Sequence, residues 1–477
     1  MIRKSNIIVL SLVVLTLGAC KKDLQDTNKN PNESETATPD FLLANAIKSA
    51  SDNYYSTANT MDASLLFVQH WSKIQYTDPD RYIFTNSSFE SGWKSFYTQS
   101  LTDLNEVVKL GEQQNNPNYK AVAITLRSWI FSVLTDAYGS IPYTQALDIK
   151  NLTPKYDDQR TVYLGLIADL KTALATYNPS GNAINGDPIF KGNINSWRKF
   201  SNALRFRLAL RIADREPALA KQTITEVLAD PAGLLSKEDE TAKLTYFASP
   251  NQNPIAKVFE TRDDYRISKT VVDRLKALND PRLAVYANPT KDVTPEIYIG
   301  LPNGLTTGDA STYGFTKTSK PGDFFTKAVA PAIILSYSES LFDRAEAAQR
   351  GFSTENAADL YKQAITVSLQ YYAVTAAAIQ SYLNQAAVQY DAVNYRKSIG
   401  EQKWIALFGQ GLEAFTELRR LDYPQLQPAV AGVLDGKIPV RFIYPGGEQS
   451  LNKNSYTDAV AKQGADLLTT KLWFDVN

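Results

Sequence analysis

The sequence predicts a mainly α-helical protein in which paired helices alternate with long, ordered loops that carry a few short strands. Three observations predict it. Apolar residues recur at intervals of three and four through most of the chain, the spacing that keeps one face of an α-helix apolar. Gly, Pro, Asn and Ser gather instead at 179–194, 231–265, 286–330 and 422–458, stretches longer than the connections of a compact bundle. Those stretches also hold many aromatics of a chain with 26 Tyr, 20 Phe and 6 Trp, which predicts order within them.

The amino terminus is a separate element. Arg3 and Lys4 precede an apolar run from Ile7 to Leu17, shorter than the ~20 residues a membrane-spanning helix needs. Leu17-Gly18-Ala19-Cys20 then matches a bacterial lipobox, and Cys20 is the only cysteine in 477 residues. Residues 1–19 are therefore read as a lipoprotein signal peptide and Cys20 as the acylated first residue of the mature chain. Residues 20–39 have the polar composition of a tether, and 40–477 form the folded domain. Acyl chains contribute about 0.8 kcal/mol per buried CH₂, so several of them hold a protein stably on a membrane surface.

Within the domain, Val122, Leu126, Ile130, Val133 and Ala137 form one stripe over 118–138, which Gly139 ends. Asp157 is placed to cap a second helix carrying Val162, Leu166, Leu170, Ala173 and Tyr177, which stops before Pro179. A third, over 195–214, alternates Phe200, Leu204, Leu208 and Ile212 with Arg205, Arg207, Arg211 and Arg215, an arginine comb read as a solvated or salt-bridged face. Further helices are expected over 331–350, 355–373, 375–387 and 396–421, with Gly409-Gln410-Gly411 as a close helix contact inside the last. Leu341, Ala345, Ala357, Tyr361 and Ala364 follow tetratricopeptide spacing, whereas Arg344 and Leu369 depart from it. Helical hairpins are expected, without a regular solenoid. Short strands are expected at Ala242–Phe247 and Pro439–Tyr444.

Composition narrows the chemistry. Fifty basic residues balance 50 acidic ones, which argues against nucleic acid as a partner. One cysteine and one histidine, His70, rule out thiolate zinc sites and His-pair metal motifs, so no metal or cofactor is expected. No nucleophile elbow, phosphate loop, zinc-protease motif or dinucleotide fingerprint is present. His70, in a stretch read as helical, is expected to be packed. A glycosidase-type carboxylate pair has too many candidates among the acids for the sequence to single one out.

What remains is a recognition stretch, "WSKIQYTDPDRY" at 71–82, in which Trp71, Gln75, Tyr76, Asp80, Arg81 and Tyr82 interleave rings with hydrogen-bonding groups. Aromatic faces with a few placed polar groups suit a sugar ring or an extended peptide. The competing reading packs Trp71 and Tyr76 on a helix beginning at Gly92-Trp93 and makes 78–80 a turn. On the recognition reading, Trp71→Ala weakens ligand binding with little change in melting temperature. Asn303, Tyr313 and Phe324, in the longest loop, are further candidates.

Several segments carry a resemblance: the lipobox, "DLQDTNKNPNESETATPDFLL", "IQYTDPDRY", "LRSWIFSVLTDAYGSIPYTQAL", "NSWRKFSNALRFRLALRI", "SESLFDRAEAAQRG" and "WIALFGQGLEAFTELRRLDYP". In that order they resemble the SusD/RagB-like nutrient-binding outer-membrane lipoproteins of the Bacteroidota, specifically the second SusD-like subfamily. The resemblance implies a mainly α fold of four tetratricopeptide-like helical hairpins, with a loop-rich ligand-facing half and minor short strands. It implies a non-catalytic lid on the cell exterior that delivers oligosaccharides or oligopeptides to a TonB-dependent β-barrel transporter (SusC-like). By position it points to Trp71, Tyr76, Arg81 and Tyr82, and more loosely to Tyr313. Lys21-Lys22 depart from the acidic residues that usually follow the cysteine in exported relatives. Two alternatives stand beside it: a surface glycoside hydrolase lipoprotein, and a tetratricopeptide-type protein-binding scaffold.

Overall fold

The computed structural model describes residues 37–292 and 297–476; Cys20, the signal peptide and most of the tether lie outside them. The fold is mainly α, built from hairpins of consecutive helices. Helix α1 (Pro39–Tyr54) packs on α2 (Thr102–Gln113), which packs on α3 (Pro117–Tyr138). Helix α3 forms a hairpin with α4 (Gln159–Thr176), and α5 (Ile194–Arg211) forms one with α6 (Pro217–Ala229). The same holds for α7 (Tyr337–Gln349) with α8 (Ala357–Tyr371), and for α9 (Tyr395–Ala406) with α10 (Gly411–Leu421). Of the tetratricopeptide positions, Leu341, Ala345, Tyr361 and Ala364 are buried and Ala357 is half-buried, and the Tyr361 hydroxyl donates to the Val388 carbonyl at 3.0 Å. Among the described residues, no helix is long and apolar enough to cross a membrane.

Local chemistry sets the helix ends, with some displacements from expectation. Asn116 caps α3 through the Asn118 N–H, with Pro117 in the first turn, and Asn193 caps α5 through the Ser196 N–H. Helix α4 is capped by Asp158, not Asp157: the Asp158 carboxylate accepts the Thr161 N–H at 2.8 Å. Asp157 belongs to a strand, and its carboxylate accepts the N–H and hydroxyl of Thr144, both at 2.7 Å. The single helix expected over 396–421 is two helices, because Gly409 takes a left-handed φ of 83° between them. Gly411 is nonetheless a close contact, its Cα set against Ser64 and Leu65.

The strands form three antiparallel pairs: β1 (Trp71–Lys73) with β5 (Tyr265–Ile267), β2 (Ile141–Pro142) with β3 (Tyr156–Asp157), and β4 (Ala242–Leu244) with β6 (Ala332–Leu335). The expected strand at Ala242–Phe247 is thus shorter, and it pairs with residues read as the start of a helix. Pro439–Tyr444 forms no strand. Its N–H groups donate instead to scattered carbonyls, Val440 to Leu468 at 2.7 Å and Phe442 to Ala137 at 2.8 Å.

The arginine comb is salt-bridged, as one of its two readings had it, and most of it lies inside the protein, not on a solvated face. Arg205, Arg207 and Arg211 are buried, and the latter two enter an ionic network between α5, α7, α9 and α10. Arg207 meets Glu339 at 2.6 Å, and Arg211 meets Glu413 at 2.7 Å and also Glu417. Lys403 joins Asp343 at 2.5 Å and Glu417 at 2.7 Å, while Arg420 grips Glu346 with two bonds of 2.6 Å. A buried ion costs several kcal/mol of desolvation, so these charges are tolerable only because each faces an opposite one.

Candidate functional site

The recognition stretch begins at a turn. Gln69, at φ 55°, ends the preceding helical segment, so His70 precedes a strand and does not lie in a helix. Burial holds the His70 imidazole down, at a pKa of about 3. Its ring sits 5.0 Å from those of Trp404 and Phe408, and one nitrogen meets the Trp404 carbonyl at 3.1 Å. Trp71 pairs with Ile267 across β1–β5, and its ring is 0% exposed, packed against Phe259 and Tyr265. Trp93, on the helix that the competing reading set against Trp71 and Tyr76, instead packs its ring against Tyr97, Tyr138, Tyr156 and Tyr444.

Beyond β1 the chain makes a tight loop with Tyr76 at φ 53° and Tyr82 at φ 68°. Left-handed backbone costs a bulky residue roughly 1–3 kcal/mol, so the surroundings must over-determine it. Asp80 is the fastener. Its buried carboxylate accepts from Ser72 Oγ at 2.8 Å, Lys73 N at 3.1 Å, Gly304 N at 2.9 Å and Asn303 Nδ2 at 2.8 Å. Burial pushes this carboxyl up, and the four hydrogen bonds oppose the rise. Asn303 also donates to the Trp71 carbonyl at 2.7 Å. Gly304, at φ 73°, lies so close to Ala429 that a Cβ there would collide with it. A third loop joins through Val430 N to Asn303 O at 2.9 Å, Val433 N to Arg81 O at 3.1 Å, and Arg81 Nε to Ala431 O at 3.1 Å. Loops around 74–84, 301–313 and 427–433 are therefore one braced unit.

The nine candidate residues consequently separate. Trp71 and Tyr82 are core rings, and Asp80 and Asn303 are buried braces; their direct contact with a ligand is corrected by their enclosure. Gln75 and Tyr76 are exposed, Arg81 is half-buried, and Tyr313 is exposed on a loop of the braced unit. Phe324 lies elsewhere, half-buried among Phe325, Tyr371 and Tyr372.

Of the candidate rings Tyr76 is the most exposed, at 62%, and it is backed by charge. The Arg262 guanidinium lies 5.7 Å from its centroid, and also bonds Asp264 through Nε at 2.9 Å and Nη2 at 2.6 Å. Lys73 joins Asp264 at 2.9 Å to Asp62 at 2.7 Å, and Asp62 also accepts the Tyr265 hydroxyl at 2.7 Å. Arg262, Asp264, Lys73 and Asp62 are the residues that sequence reasoning missed. Arg262 and Asp264 lie roughly 200 positions beyond Asp62 and Lys73, and the β1–β5 pairing brings the two pairs together.

Beside this platform opens a cleft of about 710 Å³. Its walls come from α1, from 56–62, from Pro79, Ile83 and Phe84 of the braced loop, and from 88–99. Most of the lining carries hydroxyl or amide groups, among them Ser49, Asn53, Ser56, Thr57 and Gln99. A volume of this size, with apolar patches and convergent polar groups, fits a small-molecule or oligomer site. Among the described residues no group of three or more His, Cys, Asp or Glu is arranged to hold a metal ion.

Comparison with known proteins gives one family match and several structural ones. The family model SusD-like 2, described as starch-binding and associating with the outer membrane, matches residues 31–445. A solved chitin-binding protein is 28% identical, with a TM-score of 0.83 over 92% of this chain and 100% of its own. A SusD homologue from Bacteroides uniformis is 25% identical, with a TM-score of 0.82 over 92% and 100%. A chitin-binding SusD homologue from Flavobacterium johnsoniae, 23% identical with a TM-score of 0.82 over 91% and 99%, shares the fold. Comparison with curated proteins finds no match.

Proposed function

The chain belongs to the second SusD-like family, and from that premise we propose that it is a surface lipoprotein that captures oligosaccharides without converting them. Acylated at Cys20, it faces the cell exterior and acts as a lid over a TonB-dependent β-barrel, which completes the site and takes the ligand inward. The observation that carries the proposal is Tyr76: an exposed ring held in a strained backbone and backed by Arg262, beside a hydroxyl-lined cleft. A flat aromatic face takes the C–H side of a pyranose, while hydroxyl and amide groups take its OH groups. The family's description as starch-binding and the chitin-binding likeness support a glycan over a peptide.

The geometry around the cleft favours binding over turnover. His70 is neutral and enclosed away from it. The cleft's two carboxylates already hold partners, Asp52 the Lys48 ammonium at 2.5 Å and Asp62 that of Lys73 at 2.7 Å. A lid gains from modest affinity, because ligand must leave; the opposing barrel wall raises retention only while the lid is closed.

Calorimetric titration of the purified protein with malto- and chito-oligosaccharides tests this reading. Saturable binding with no change in oligosaccharide length by mass spectrometry is expected. Turnover that disappears on Asp52→Asn or Asp62→Asn refutes it, and preference for oligopeptides over both glycans moves the ligand class.

A further inference from the structure

The charge pattern of the cleft says which glycans it admits. Among the described residues no Lys, Arg or His side chain lines it. The chain does place ammonium groups at a hollow elsewhere: a separate one of about 370 Å³ is lined by Lys191, Lys199 and Lys237. In the cleft beside Tyr76 the only charged lining groups are Asp52 and Asp62. Both are neutralised from behind. Asp52 holds Lys48 at 2.5 Å and the Tyr246 hydroxyl at 2.7 Å, and Asp62 holds Lys73 and the Tyr265 hydroxyl, each at 2.7 Å. The cation behind Asp62 is itself shared with Asp264, which Arg262 balances in turn. The groups lining the cleft are therefore acceptors, amides and hydroxyls, and the cations behind Asp52 and Asp62 already have carboxylate partners.

Resting on the glycan-binding reading, we propose that this cleft selects neutral, hydroxyl-rich oligosaccharides and rejects chains bearing carboxylate or sulfate groups. A neutral sugar hydroxyl donates to the remaining lone pairs of Asp52 and Asp62, which are ionised acceptors with more sites than their partners use. A uronate entering the same space loses water, meets two carboxylates, and finds no uncommitted cation lining the cleft. Selection comes from the anion's lost hydration, which no cation lining the cleft replaces, while the serine and asparagine contacts are common to both ligand classes. Because the favourable contacts are uncharged on the ligand side, affinity for the neutral chain does not depend on salt.

A competition experiment on the full protein decides the matter, with a labelled chito- or malto-oligosaccharide displaced by unlabelled neutral chain or by oligogalacturonate of equal length. The uronate is expected to compete at least about ten-fold less well, and the neutral Kd to hold between low and high salt. Ser91→Lys, an exposed substitution on the cleft wall, is expected to narrow that gap by making the uronate a stronger competitor relative to the neutral chain. If oligogalacturonate displaces the label as well as the neutral chain does, charge selection is wrong while glycan binding stands. A gap that Ser91→Lys leaves unchanged also overturns it, by placing the discrimination outside the cleft. If no glycan binds, the reading beneath it fails, and the selection fails with it.

Discussion

The ionic network inside the hairpins and the cleft beside Tyr76 are both polar, and they use polarity in opposite ways. Between α5, α7, α9 and α10, charged side chains are closed away from water and each is satisfied by another group of the same chain. Around the cleft, hydroxyl and amide groups stand open at the surface, and the charges beside them are matched from behind. The comparison teaches that residue type does not separate structure from function here. Arginines that look like a surface comb are core, and serines that look like filler line the cavity. A group matched within its own chain holds the fold, and a group left open can take a ligand.

That contrast can be broken most forcefully in the core. Glu417→Ala leaves Lys403, Arg211 and Arg420 crowded without a shared anion, and a loss of about 3–5 kcal/mol is expected in denaturant unfolding. A loss below about 1 kcal/mol would show that the network relaxes around the gap. Trp71→Ala, expected from sequence to act on binding, is now expected to act on stability, at roughly 3–5 kcal/mol, because it empties a fully enclosed site. Its affinity defect should track the unfolded fraction, and a binding loss at unchanged melting temperature would return Trp71 to the ligand.

His70 sharpens the comparison through pH. Its folded pKa of about 3 lies below the ordinary 6.5, so between those values the unfolded chain binds a proton that the fold refuses. This contribution is complete above pH 6.5 and falls as pH drops towards 3, reaching about 2 kcal/mol lost at pH 5. His70→Phe should flatten that part of a stability-against-pH curve, and an unchanged slope would show that other groups produce it. The smallest effect on stability belongs to the cleft side. Tyr76→Ala should change unfolding free energy by no more than about 0.5 kcal/mol, yet weaken oligosaccharide binding roughly ten-fold by titration. Unaltered affinity would remove Tyr76 from the site.

Much of the fold was legible from residue order. The stripe from Val122 to Ala137 marked α3, Gly139 marked its end, and Leu341, Ala345, Tyr361 and Ala364 marked a hairpin, because helix periodicity and helix-to-helix spacing are local properties. Less of the site was legible. Tyr76 stood among the candidates, but Trp71, Asp80 and Tyr82 stood in the same stretch with equal credentials, and Asn303 was a weaker candidate in another loop. A loop aromatic and a core aromatic have the same composition, and which way each points follows from strand pairing with residues some 200 positions away.

By itself, then, the sequence determined the helical class, the hairpin pairing within 331–373, the family resemblance and the stretch in which recognition was sought. The tertiary structure alone decided that Arg205, Arg207 and Arg211 of α5 are buried, that Asp80 ties three loops together, and that Tyr76 faces water while Trp71 and Tyr82 do not. The physical reason is reach. Helix formation and capping are settled within a few residues, whereas burial and charge pairing depend on partners brought together only when the chain folds.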